Sequence, residues 1–470
     1  MKSRSYLYGG FATTLNIIGN ALTFGHYLWL EGRVRGGRFR NWARQFGFSP
    51  ANFIEPTTED EIVNLVKSSA KIRLFGSAHS FNSGVVTDGI LVSLDKYSGL
   101  IWKDLEKKQI AVKGGTRVRD VVKILLENGL AFEALPSHDA QSIGGILSTD
   151  VHGTGRDWGF VSETVVSLKI IGGTGEIYEC KPTDDIFKAA IGGIGAIGII
   201  SEVVVQAVNR FNVEQKFELA DCAFVENNLE RLLEENDHLS LYLFPFADKC
   251  QISTWNRTDK PKSFLGPWRE FIAISFDALI SAWFGNLMAY TGLLPKLSNW
   301  AYGFKRGTNL VLESNKAFNR TIYHLHQELE FTVPFEQTWE MCHRFLELYE
   351  TMYSKEMPYA LLEVRFTPAE HDRTFIGAGR MRRSTWIDLI CNDSHGFEKY
   401  YAAAEEIVRE IGACPHLGKY CQSLNKKHLS DVHGDNFERF LELMREHDPE
   451  NKFANDFTQR MFRDRVEKDE

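Results

Sequence analysis

Residues 71–84 read KIRLFGSAHSFNSG, and the fold turns on how they are understood. Ile72, Leu74 and Phe75 close an apolar run with strand character, and Gly76, Ser77 and Ala78 follow with almost no side chain. Small residues after a strand let a backbone approach a ligand closely. His79 stands directly behind them and is offered to whatever fills that space.

A second stretch has the same texture. ALPSHDAQSIGGILSTDVHGTG, residues 134–155, concentrates Ser137, Ser142, Gly144, Gly145, Ser148, Thr149, His152 and three further small residues. Backbone N–H groups and hydroxyls at that density suit a phosphate-bearing cofactor. Taken alone, the stretch reads equally well as a Gly/Ser-rich surface loop. GGIGAIGIISEVVVQAV places Gly193, Gly195 and Gly198 in GxGxxG spacing. The dinucleotide fingerprint needs a strand before the glycines and a helix after them. Here helical DDIFKAAIG precedes and β-branched IISEVVVQAV follows, so the run is a turn into a strand.

The bulk composition bounds the rest. A chain of 470 residues exceeds one compact core, so two or three domains are expected. The net charge of −8 disfavours a nucleic-acid partner. Seven scattered cysteines without a CxxC pair indicate neither a zinc site nor a disulfide framework. Metal ligation built on His324 and His326 lacks a third ligand. Val118, Val121, Val122, Leu125 and Leu126 form a helical stripe closed by Gly129, after the strand IAVKGG.

Two apolar stretches bear on membranes. Tyr6 to Leu30 is largely apolar and is flanked by basic residues, but contains Asn16, Asn20 and His26. Residues 271–294 are aromatic-rich and contain Asp277 and Asn286. Polar residues at these positions argue against spanning a bilayer, leaving a membrane-surface anchor or a buried helix for the first and an interface or a core for the second. The sequence assigns no compartment beyond a cytoplasmic-side protein with possible membrane association through either segment. The segments are organised as an apolar terminus (1–40), an α+β domain (41–210), a second domain (211–412) with longer helices and strands near 238–255 and 359–366, and a charged C-terminal portion (413–470).

With both small-residue stretches in hand, residues 41–210 resemble the PCMH-type FAD-binding domain of the vanillyl-alcohol oxidase superfamily. NWARQFGFSPANFIEPTTEDEI (41–62) resembles its aldonolactone oxidase branch, of gulonolactone or arabinonolactone type. The resemblance implies an α+β flavoprotein with a substrate (cap) domain of antiparallel sheet and helices, completed by a C-terminal segment that returns to the FAD domain. It implies FAD bonded covalently through His79. By the same resemblance Leu74, Phe75, Gly76, Ser77, Ala78, Ser80, Ser137, Ser142, Gly145, Thr149, Asp150, Val151, His152 and Ile200 line the cofactor.

YALLEVRFTP sets Leu361, Glu363 and Arg365 on one strand face and Leu362, Val364 and Phe366 on the other. By itself Glu-x-Arg on a strand is a surface salt bridge; in the resembling family the pair lies over the flavin. ACPHLGKYC matches the family's His-Trp-Gly-Lys at His416, Gly418 and Lys419, with Leu417 in place of Trp. His416 is then expected at the flavin. Glu363, Arg365, Lys419 and Ser137 are expected at a sugar lactone, with a polyol as the alternative substrate. Gly114, where a related plant dehydrogenase has Ala, implies dioxygen as acceptor and hydrogen peroxide as product. Transfer to a cytochrome or quinone is the alternative.

Overall fold

A computed structural model describes residues 2–23, 32–302, 307–319, 325–369, 372–392 and 396–463. Its first domain pairs two sheets. Asn52–Ile54, Ile90–Ser93 and Ile72–Phe75 form a parallel sheet, with Ile90–Ser93 in the middle. Five antiparallel strands form the second, in the order Ile177–Cys180, Val165–Ile171, Ile199–Gln206, Gln109–Lys113, Leu100–Asp104. The expected helix runs Val118–Glu127 and buries Val118, Val121, Val122 and Leu125; Gly129 follows at φ 72°. Helix Asp185–Ala190 precedes the 193–198 glycines and strand Ile199–Gln206 follows, which is the reverse of a dinucleotide turn.

The second domain is built on an eight-stranded antiparallel sheet. At its centre His238–Leu243, Ala360–Thr367, Ser384–Cys391 and Gln327–Pro334 lie side by side. Strand alternation splits their residues between two faces. Leu362, Val364, Phe366, Ile387, Leu389, Leu329, Phe331 and Val333 join the largest hydrophobic core, under helices Thr338–Met352 and Glu398–Glu410. The opposite face carries the row Tyr242, Glu363, Asp388, Glu330, one from each strand. The loop after His152 docks at the end of one of these central strands: the Gly155 N–H donates to the Phe366 carbonyl at 2.9 Å. The polar face therefore meets the first domain.

The C-terminal portion binds both domains. Cys414–Pro415 pairs with the Gln327–Pro334 strand, while the Ile72 N–H donates to the Lys452 carbonyl at 2.8 Å. Residues 32–40, expected with the apolar terminus, instead pack on the first domain. The strands Arg33–Arg35 and Arg38–Arg40 pair there, and Phe39 is buried against Phe75. The reason is its aromatic neighbours, Phe46, Phe48 and Phe75, which form a small core of their own.

Helix Lys2–Thr23 is inside out. Thr13, Asn16 and Asn20 are buried with Ala12, whereas Phe11, Leu15, Ile18 and Leu22 are 50–76% exposed. It packs against the long helical stretch Gly266–Thr291, where Phe11 meets Trp283 edge to face and the Trp283 indole donates to Thr14 Oγ1 at 3.2 Å. That stretch repeats the inversion, burying Glu270, Ser275 and Asn286 and exposing Trp268, Ile272, Phe276 and Ile280. By length and composition it is apolar enough to cross a membrane. Of the polar residues that count against a spanning segment in the sequence, Asn16, Asn20 and Asn286 face the protein and Asp277 is exposed, while His26 lies outside the described residues.

Candidate active site

Strand Ile72–Phe75 ends at a cleft of about 1060 Å³, a volume that includes the open space at its mouth. Leu74, Phe75, Gly76, Ser77, Ala78, His79, Ser80, Gly114, Ser142, Gly145, Thr149 and Ile200 all line it. The glycines are demanded by packing. A side-chain carbon on Gly76 would run into Ser142, on Gly115 into the Leu94 carbonyl, and on Gly114 into the Ile200 carbonyl. Gly114 therefore has a backbone reason to be glycine, and its presence says nothing about access for dioxygen.

Backbone strain collects here. Ala78, Asp150 and Ile194 have φ of 55°, 49° and 53°, a left-handed region disfavoured for residues with a Cβ and found at ligand sites. Gly195 and Gly198 also line the cleft. The glycine run rejected as a dinucleotide turn thus serves the same cleft in reverse polarity. Arg73, 4% exposed, donates to the Ile194 and Phe453 carbonyls and ties that turn to the C-terminal portion. Burial lowers its pKa to about 10.

A second cleft of about 670 Å³ opens from the first, sharing His79, Ser80, Gln141 and Thr149 with it. Ser137, Val151, His152, Glu363, Arg365, His416 and Lys419 line it. Asp150 lies on neither cleft: it is buried, and its carboxylate accepts from the Ser162 hydroxyl at 3.0 Å. Its strained backbone, rather than its side chain, is what it contributes to the turn before His152.

Glu363 and Arg365 share a strand face, as expected, but each has an unanticipated partner. The Tyr242 hydroxyl donates to Glu363 at 2.9 Å. Arg365 Nη2 lies 2.5 Å from Glu330 Oε1. Lys419 pairs with Glu328 and reaches Asp388 at 3.1 Å and Glu330 at 3.5 Å. His152 Nε2 is 3.2 Å from Glu330 Oε1, its ring stacked on Trp386 at 3.5 Å.

Charge counting resolves this cluster. Burial opposes the Lys419 charge, but the acids around it, Asp388 to the extent that it ionises and the Glu328 and Glu330 carboxylates, outweigh it and raise its pKa, so it is an ammonium. Burial opposes ionisation of Glu330 and Glu328; Arg365 and Lys419 respectively outweigh it and depress both. Burial, then Glu328, pushes Asp388 well above the usual carboxyl range. Glu328 and Glu330 thus cancel Arg365 and Lys419, and Asp388 keeps its proton. Burial lowers His152 to about 4 and His416 to about 3, so both are neutral.

Glu328, Glu330, Asp388, His138 and Trp42 are not expected from the sequence, and His326 is weighed there only as a metal ligand. Acids at alternate positions in HQELEF and a single acid in WIDLI were the available signals, since an acid inside an apolar strand needs a buried partner. His324 lies outside the described residues, and His326 precedes the strand, bonded to Glu328 at 2.9 Å. Ligand atoms of His152, Glu330 and His416 gather within 4.8 Å. But His416 Nδ1 accepts the Gly418 N–H at 2.9 Å, which leaves the proton on Nε2 and no lone pair for a metal.

Known proteins were compared with this chain. Residues 50–181 match the FAD binding domain family. L-gulono-1,4-lactone dehydrogenase of Mycobacterium tuberculosis is 26% identical, over 90% of this chain and 98% of its own length. Mus musculus L-gulonolactone oxidase is 25% identical over 91% and 99%. Among solved structures, cholesterol oxidase from B. sterolicum superposes with a TM-score of 0.73 at 16% identity, covering 92% of this chain and 97% of that one. This likeness is one of fold, a flavoprotein architecture of FAD-binding domain and antiparallel-sheet cap. Residues 203–461, more than half of the chain, match the D-arabinono-1,4-lactone oxidase model, and the protein belongs to that family.

Proposed function

We propose that the protein is an FAD-dependent oxidase of an aldono-1,4-lactone of the gulono, galactono or arabinono type. The observation that carries this reading is the convergence of Glu363, Arg365, Lys419 and His416 on a cleft that opens into the glycine-walled one at His79. The fit to FAD rests on that cradle, where Gly76, Gly114 and Gly115 have no room for a side chain. FAD in that cleft supplies the two-electron acceptor for a hydride leaving the hydroxyl-bearing carbon.

The chain's own residues do the rest. Arg365, fixed by Glu330, is a cation that favours negative charge on the substrate oxygen. Lys419 is held charged and donates a hydrogen bond, so it is not the base. Glu328 and Glu330 are locked ionised by their cations. Glu363 is left to take the hydroxyl proton, with Tyr242 orienting it. Ser137 contacts the substrate, and His79 bonds covalently to the cofactor.

Acid precipitation of purified protein tests the cofactor reading: a yellow washed pellet is expected, and a colourless one removes the tether. Turnover of a lactone panel with hydrogen peroxide release is the expected activity. Turnover of alditols alone reassigns the substrate. Activity with cytochrome c or a quinone but not with air reassigns the acceptor.

The inside-out helices support a second element of the reading, docking on a bilayer surface. Exposed apolar stripes at three- and four-residue spacing on two packed helices, with Asn16, Asn20, Glu270 and Asn286 turned inward, suit a lipid-facing surface of an interfacial protein, with Arg269 and Asp277 also exposed. Phe11→Glu with Phe276→Glu is expected to release the protein from liposomes; retention of the double variant on them removes this element.

A further inference from the structure

His79 and His138 meet through their Nε2 atoms, 3.2 Å apart. Two neutral imidazoles at that distance share one proton, since one ring must donate N–H and the other accept with a lone pair. The remaining contacts hold His79 in one pose. Trp42 stacks on it with ring centres 5.1 Å apart and planes at 25°, and the strained Ala78 fixes the backbone just before it. Burial, then His138 and Arg117, hold its pKa well below the usual imidazole range. A neutral ring carries one proton and one lone pair on different nitrogens.

We propose that His138 is the proton acceptor that readies His79 for bonding to the flavin's 8α-methyl carbon. The inference rests on the reading of His79 as a tether. In the step, the His79 Nδ1 lone pair forms a bond to the methyl carbon. One methyl C–H bond breaks and its electron pair passes to the flavin ring, which becomes two-electron reduced, while that hydrogen leaves as a proton. Without an acceptor the alkylated imidazole would retain its Nε2 proton and become a buried cation. His138 Nε2 takes that proton, and the tethered ring ends neutral. Dioxygen then takes two electrons and two protons to give hydrogen peroxide and restore the oxidised flavin.

The test uses the full-length chain produced without flavin and then given FAD. Non-covalent binding is followed by quenching of FAD fluorescence, and tethering by flavin fluorescence that survives denaturing electrophoresis. His138→Ala and His138→Gln are expected to bind FAD yet tether it roughly 10²–10⁴-fold more slowly, the range expected for losing a positioned proton acceptor. Added imidazole is expected to restore much of the rate in His138→Ala. Wild-type tethering rates in both variants would overturn the proposal, as would loss of non-covalent FAD binding in both, which would make His138 structural. A wild-type chain that binds FAD but never tethers it, or an acid-stable flavin that persists in His79→Ala, would instead bring down the tether reading itself.

Discussion

The two clefts meet at His79 and are built by opposite means. The cofactor cleft is walled by backbone: glycines with no room for a side chain, and residues in left-handed conformations at Ala78 and Ile194. The cleft proposed for the substrate is walled by charge: Arg365 and Lys419 against Glu328 and Glu330, with Asp388 behind them. A wall of backbone tolerates no added atom. A wall of paired charges tolerates no lost one.

The largest break in that comparison comes from Arg365→Met. It strands Glu330, which is 1% exposed, without its nearest cation. Removing one partner of a buried pair costs about 3–5 kcal/mol, and losing an oriented cation slows turnover by about 10²–10³-fold. Denaturant unfolding and steady-state rates measure the two effects. A variant as stable as the wild type would mean that Lys419 and His152 suffice to hold Glu330.

Acid separates the clefts next. His152 and His416 titrate near 4 and 3 when folded and near 6.5 when unfolded. Below about pH 6.5 the unfolded chain takes up protons that the folded one refuses, so stability falls as pH drops, by up to about 1.4 kcal/mol per pH unit for each histidine. Below about pH 4.5 the depressed carboxyls Glu328 and Glu330 add to the loss, because their stabilisation disappears as they protonate. Melting temperatures from pH 7 to 4 are expected to decline throughout, and less steeply in His152→Gln. A flat profile down to pH 5 would show that the histidines are not buried neutral.

Gly115→Ala probes the other wall. The added carbon runs into the Leu94 carbonyl, a backbone atom that does not swing aside. Overpacking of this kind costs about 1–3 kcal/mol, and the flavin-to-protein ratio is expected to fall while the charged cluster is left intact. Gly129→Ala is the control for a glycine with open space around it and φ of 72°. Full FAD content in Gly115→Ala would mean that the cradle flexes.

The same contrast explains what was legible in the sequence. A backbone wall is written in contiguous residues, so KIRLFGSAHS and QSIGGILSTDVHGTG mark a cleft, proposed for the cofactor, and the EVRF alternation places Glu363 and Arg365 on one face. The charged wall is assembled from two strands whose acids lie at 328, 330 and 388 and from a lysine at 419 in the turn after Cys414–Pro415. No local pattern says that Asp388 opposes both Glu330 and Glu363, because antiparallel register is a property of the folded sheet. The reversed glycine run at 193–198 was dismissed as a dinucleotide turn on sound local grounds. It lines the cofactor cleft nonetheless, because the strand that follows it lies beside Gln109–Lys113, whose end carries Gly114.

Asp388→Asn has the smallest expected effect and bears most directly on the charge count. Its carboxyl is raised well above the usual range, chiefly by burial, which favours the protonated form in the folded chain, whereas the unfolded chain releases the proton. Such a group favours the unfolded chain at any pH above its ordinary value of 3.8, and this cost grows as pH rises toward the folded pKa. Asparagine has the same shape without the proton. It is therefore expected to change stability at pH 7 by less than about 1 kcal/mol, or to raise it, while Asp388 Oδ2's contact with Lys419 passes to an amide oxygen. A loss of about 3 kcal/mol or more would instead mark Asp388 as an ionised partner of Lys419. Arg365, Lys419, Glu328, Glu330 and Asp388 would then carry one uncancelled negative charge between them, in addition to Glu363, the proposed base on the same cleft.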